Sequence, residues 1–316
     1  MIEYQKKIQN IAERLLNEKK VDVVLGFKKG TIPMMNQPCL VRVPDETQKL
    51  VWDSNCGINL TNYLTNRKER IGIIAKGCDT RNIVTHIVEN KIKREQLVII
   101  GVPCTGMIDK AKINGLMVNE IAEVSEHNQE ITITDSRGAT KTIQKKEVLQ
   151  SNCSICKYKN PVIYDELVAD LVPESKDIDR YEDIRKIESM ASSEKFKFFE
   201  DMLSTCIRCY ACRNACPLCY CPTCFVDESK PQWLGKGMDP IDIRTFHFLR
   251  AYHCAGRCTD CGSCERACPM DITVRQFTKK LEKDCVELFG WEAGLTLDKR
   301  PPLDHYKTND PQSFIK

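Results

Sequence analysis

The chain has 316 residues, 42% hydrophobic and 29% charged, which gives room for two domains with cores of their own and excludes a disordered or fibrous protein. Its formal charge of +3 counts every cysteine as neutral and forms no like-charge tail, so no nucleic-acid partner is expected. With no apolar run long enough to span a bilayer and no secretory leader, the protein is expected in the cytoplasm, where nineteen cysteines point to metal because disulfides are rare.

Residues 1–170 read as an α/β domain with a largely parallel sheet. A mixed-charge amphipathic helix occupies the first twenty residues, and apolar, β-branched runs at 21–27, 39–43, 71–75 and 97–101 predict buried strands. Between the last two, Asp79 is placed to cap a helix over 80–91, with Ile83, Val84, Ile87 and Val88 at helical spacing. Strand, turn, helix and strand make a βαβ unit. A hairpin is expected from 130–134 and 140–143 around Asp135-Ser136-Arg137-Gly138.

Cys78 and Cys104 follow directly on two of these strands, at the sheet edge where open α/β folds place ligands. Cys153-x2-Cys156 comes later. If its segment returns to that edge, Cys78, Cys104, Cys153 and Cys156 can hold a 4Fe–4S cluster, with Cys56 a rival for the fourth place. The alternative is five buried free thiols. No G-x-G-x-x-G or P-loop occurs, so nothing here points to a nucleotide.

Residues 171–195 are charged and thinly apolar, a linker by composition. Residues 196–290 read as an α+β domain of the bacterial dicluster ferredoxin kind. Cys206-x2-Cys209-x2-Cys212-x3-Cys216-Pro217 is one complete run and Cys258-x2-Cys261-x2-Cys264-x3-Cys268-Pro269 another. Three thiolates two residues apart on a coiled loop can hold three irons of a cubane, and in two-cluster ferredoxins the fourth serves the other cluster. The expected sets are Cys206, Cys209, Cys212 with Cys268, and Cys258, Cys261, Cys264 with Cys216. Each fourth cysteine is expected to open a helix, with proline at its start. Zinc is the competing reading, but it needs only four ligands per site and leaves the third step of each run unexplained.

Cys219, Cys221, Cys224 and Cys254 are surplus to two clusters. They could hold a further metal centre or serve as small apolar fillers. A helix near 240–252 separates the two runs. Another over 272–288 places Cys285 on its apolar stripe, as a core residue. Residues 291–316 read as an extended strap.

The segments AKGCDTR, GVPCTGM and CSICKYKNPVIYDELVAD resemble the flavin- and iron–sulfur-containing beta subunits of deazaflavin-coenzyme hydrogenases and formate dehydrogenases. CIRCYACRNACPLCYC, HCAGRCTDCGSCERACPMDI and the following ELFGWEAG resemble dicluster subunits that work with heterodisulfide-reductase-like or formate dehydrogenase complexes of anaerobes. The resemblance implies an electron-transfer subunit that wires a catalytic redox subunit to another carrier, and it implies FAD as a further cofactor. Two other readings stand beside it. One is a flavin-containing oxidoreductase subunit exchanging hydride for electrons; the other is a zinc-binding scaffold.

Overall fold

The computed structural model describes residues 2–127, 129–174, 177–305 and 308–309. They form two units, one of residues 1–60, 66–80 and 91–178 and one of 61–65, 81–90 and 179–316. No described helix is long and apolar enough to cross a membrane.

The first unit opens with α1 (Ile2–Asn17), which buries Ile8, Ala12 and Leu15 at helical spacing. Its main sheet contains β1 (Val23–Lys28), β2 (Gln37–Val41), β3 (Ile71–Ala75), β4 (Leu97–Gly101) and β8 (Glu166–Leu167), in the order β2-β1-β3-β4-β8. Only β2 is antiparallel, so the sheet is largely parallel. β3 is buried along its length and β4 nearly so, as near-continuous apolar runs in parallel strands require. Between them runs α2 (Gly77–Val88), its first turn in this unit and its residues from Arg81 in the second.

α2 starts earlier than its sequence suggests. Asp79 lies inside the first turn, where its carboxylate accepts from the backbone N–H of Lys76 at 3.1 Å and of Leu60 at 3.2 Å. It therefore ties the helix start to the 58–60 segment instead of preceding the helix as a cap.

Two short helices, α3 (Lys110–Asn114) and α4 (Ser151–Ser154), flank a smaller antiparallel sheet of β5 (Ile121–His127), β6 (Glu130–Asp135) and β7 (Thr140–Gln144). The expected hairpin is thus the later part of a three-stranded meander. β5 escaped the sequence reading because its small and charged residues (IAEVSEH) leave only a weak apolar face.

The second unit is helical where it is regular, with no strand among its described residues. The stretch expected as a linker contains α5 (Glu182–Ser189), which buries Ile184 and packs on a later helix. Next come α6 (Ser192–Leu203), α7 (Ala211–Asn214), α8 (Pro240–His253), α9 (Ser263–Arg266) and α10 (Arg275–Phe289). α8 turns Ile243, Phe246, His247, Arg250 and Ala251 inward, the full buried stripe of a packed helix. Two of those five are polar, which a packing role alone does not explain. α10 lies against α8 and α5, and Trp291 beyond it donates its indole N–H to Gly256 O at 2.6 Å.

Candidate metal centres

The two cysteine runs of the second unit fold alike. Arg208 and Tyr210 in the first have φ of +47° and +59°; Asp260 and Gly262 in the second have +56° and +71°. Left-handed backbone at the same two steps curls each loop and brings the Arg208 N–H to Cys206 Sγ and the Asp260 N–H to Cys258 Sγ. That conformation costs an L side chain about 1 kcal/mol, so each loop is held from outside. Arg208 donates to Gly235 O and Tyr210 Oη, both at 2.8 Å. Burial works against a charge on Asp260, but Arg275 at 2.8 Å and Lys279 outweigh it and hold the carboxyl well below the usual carboxylate range.

Cys206, Cys209, Cys212 and Cys268 line one cavity. Cys258, Cys261, Cys264 and Cys216 line a second, together with Cys254. Each cavity draws three sulfurs from one run and a fourth from the other. The fourth cysteines do not open helices, contrary to expectation: Cys216 and Cys268 follow the short helices α7 and α9. The proline after each cannot continue a helix and stops it there.

The sulfurs have partners. His247 Nε2 lies 3.4 Å from Cys206 Sγ, and the Ile272 N–H donates to Cys268 Sγ at 3.4 Å. Burial, helped by Arg250, pushes His247 down to about 4, so at neutral pH its imidazole is uncharged and can offer an N–H to a thiolate. Burial pushes Cys212 up to about 11 and Cys258 up to about 12, so without metal these thiols keep their protons and a metal must displace them. Four thiols per cavity with N–H donors aimed at sulfur fit a 4Fe–4S centre.

The surplus cysteines separate. The sulfurs of Cys216, Cys219 and Cys254 lie within 4.8 Å of one another and hydrogen-bond among themselves. Cys221 is exposed, and Cys224 packs against the hydrophobic core around Phe246. Cys285 is buried on α10, and burial pushes its thiol up to about 11.

In the first unit the segment after Cys156 returns to the sheet edge. The Cys104 N–H donates to Lys159 O at 2.9 Å, and a Cβ on Gly77 would come within 2.4 Å of Tyr158 O and 2.8 Å of Asn160 O. Residues 158–160 therefore run against both the turn that carries Cys78 and the one that carries Cys104. Gly106, at φ +100°, keeps another close approach: a Cβ there would lie 3.6 Å from Cys153 Cβ. The Gly106 N–H donates to Cys104 Sγ and the Met107 N–H to Cys153 Sγ, each at 3.4 Å.

Cys56 has a different setting. Asn36 Nδ2 donates to its sulfur at 3.3 Å and the Asp53 N–H at 3.5 Å; burial pushes the thiol up to about 12.

A buried cation sits at this edge. Lys76 Nζ donates to Asp79 Oδ2 at 2.8 Å and to Ile58 O at 3.0 Å. Burial opposes its charge, but Asp79 and the neighbouring Cys78 and Cys104 prevail and raise its pKa. Beside Cys104 opens a cleft of about 440 Å³, lined by Tyr4, Trp52, Thr105, Met107 and Glu126 among others. Its described lining contains the acidic Glu3 and Glu126 and no lysine or arginine.

A family model for a 4Fe–4S dicluster domain matches residues 202–272. Over 92% of its length the chain is 26% identical to the F420-dependent formate dehydrogenase subunit beta of Methanocaldococcus jannaschii, covering 91% of that protein. It is 25% identical to the F420-dependent formate dehydrogenase 1 subunit beta of Methanococcus maripaludis, over 91% of this chain and 90% of that one. Half of the chain overlays on 62% of a chain in the F420-reducing nickel–iron hydrogenase complex of Methanosarcina barkeri, with a TM-score of 0.38 and 14% identity.

Proposed function

We propose that this chain is a cytoplasmic electron-transfer subunit of an anaerobic oxidoreductase complex of the formate dehydrogenase type, similar along nearly its whole length to the beta subunits of such enzymes. One observation carries the reading: the two cysteine runs interleave to line two cavities, each with four sulfurs and with backbone N–H groups turned toward them. A 4Fe–4S centre supplies a one-electron couple when bound there. The chain's own residues hold it and set its potential. Cys206, Cys209, Cys212 and Cys268 bind one centre; Cys258, Cys261, Cys264 and Cys216 bind the other. The Arg208 and Asp260 N–H groups and the His247 imidazole donate to sulfur and favour the reduced state. A third centre is bound in the first unit by Cys78, Cys104, Cys153 and Cys156. Support for Cys78 over Cys56 comes from the 158–160 segment, which lies against the Cys78 turn.

The cleft beside Cys104 favours a second reading, in which the first unit also takes a planar redox cofactor such as a flavin. Its volume of about 440 Å³ is that of a small-molecule site. Anaerobic purification tests both readings. Iron and acid-labile sulfide of 8 to 16 atoms per chain are expected, with a catalytic redox subunit copurifying from the native source. Zinc in place of iron sinks the electron-transfer reading in favour of a scaffold, and flavin released on denaturation establishes the second reading.

A further inference from the structure

We infer that Arg250 is a shared cation for both centres of the second unit, a positioning residue whose guanidinium holds up the potential of each. This rests on reading the two cavities as cluster sites. Arg250 projects from the buried stripe of α8 and is 3% exposed. Its Nη2 donates to Cys212 O at 3.0 Å, which fixes it to the first run. It also lines the second cavity, with Cys216, Cys258, Cys261 and Cys264. Its Nε–H is buried with no hydrogen-bond partner. A buried guanidinium donor left unpaired is costly unless something accepts from it.

The charges that act most on Arg250 are those of Cys264, Cys216 and Cys212, which come from both runs, and of Cys254 beside the second cavity. No carboxylate is among its salt-bridge partners in the described residues, in contrast to Arg275 and Lys279, which Asp260 neutralises. Arg250 therefore keeps a full, uncompensated charge that does not titrate at any working pH. A four-thiolate cubane becomes more negative by one charge with each electron it accepts. A fixed cation beside it stabilises the reduced form, and in a buried site its field is little screened. Because one guanidinium lines the second cavity and donates to the Cys212 carbonyl of the first run, its field acts on both centres and shifts their potentials in the same direction.

The test is a redox titration of the anaerobically purified full chain, followed by electron paramagnetic resonance, on wild type, Arg250→Gln and Arg250→Lys. With iron content unchanged, Arg250→Gln is expected to lower the midpoint potentials of both centres. Arg250→Lys keeps the charge, so both potentials should stay closer to wild type than in Arg250→Gln. A loaded Arg250→Gln protein whose two potentials match wild type overturns the inference and leaves the electron-transfer reading intact. Loss of iron from both variants overturns it too, because Arg250 would then be a structural prop. Wild type without iron fails the function itself, a distinct result.

Discussion

The two cysteine-bearing regions of this protein are built by opposite means. In the second unit, three sulfurs of each set come from one short loop, whose shape is dictated by left-handed residues at two repeated steps. The fold adds only the fourth sulfur and an outside anchor, Arg208 on one loop and Asp260 on the other. In the first unit the cysteines are scattered over several segments, and the parallel register of β3 and β4 and the return of residues 158–160 bring that segment against the turns of Cys78 and Cys104. The loop-built sites are specified locally and resist distant change. The proposed sheet-built site depends on packing far from any sulfur.

The comparison can be broken most directly at the fourth sulfurs. Cys268→Ser is expected to remove the centre of Cys206, Cys209 and Cys212, with a loss of about four iron atoms, and to spare the other. Cys216→Ser should alter only the centre of Cys258, Cys261 and Cys264, and more mildly, because Cys219 and Cys254 lie within 4.8 Å of the lost sulfur. The triple variant Cys216→Ser/Cys219→Ser/Cys254→Ser should lose that centre. Iron analysis with resolved spectra decides, and a Cys268→Ser protein altered only in the second centre contradicts the crossed arrangement.

A comparable effect is expected in the first unit. Cys78→Ser in the full chain should lower the iron content by about four atoms, whereas Cys56→Ser should leave it unchanged. The reverse outcome keeps the site and replaces its fourth ligand; no change from either returns these cysteines to buried thiols.

Lys76→Met sharpens the difference between the regions. It removes the ammonium from a buried ion pair whose Asp79 carboxylate is 0% exposed, and breaking such a pair costs about 3–5 kcal/mol. Denaturant unfolding should show that loss together with a weakened first-unit centre, while the two centres of the second unit keep their spectra. Gly262→Ala gives the smallest effect. It puts a side chain at φ +71°, which costs about 1 kcal/mol. Earlier bleaching of one centre in denaturant, with the other unaffected, is the expected readout.

Much of this was legible in the residues alone. Strands β3 and β4 were bounded correctly because a parallel strand buried on both faces leaves an unbroken apolar run. The two cysteine runs that line the cavities are legible because three closely spaced thiolates on one loop have few other uses. Helix α5 was hidden in a charged stretch because one buried residue, Ile184, and a helix to lean on suffice to order it. The start of α2 was misjudged because Asp79 looks like a cap until Leu60 and Lys76 are seen to occupy its oxygens.

What the sequence determined by itself is therefore local: the period of its apolar runs, the spacing of its thiols and the proline that ends each run. Tertiary structure alone decided which sulfurs share a cavity, that Cys254 and Cys219 stand beside Cys216 while Cys221 and Cys224 do not, and that Arg250 lines the second cavity while donating to the Cys212 carbonyl. The reason is physical. Loop curl and strand burial are set by neighbours along the chain, but the field at a buried sulfur is the sum over charges brought near by packing, and no spacing in one dimension encodes that distance.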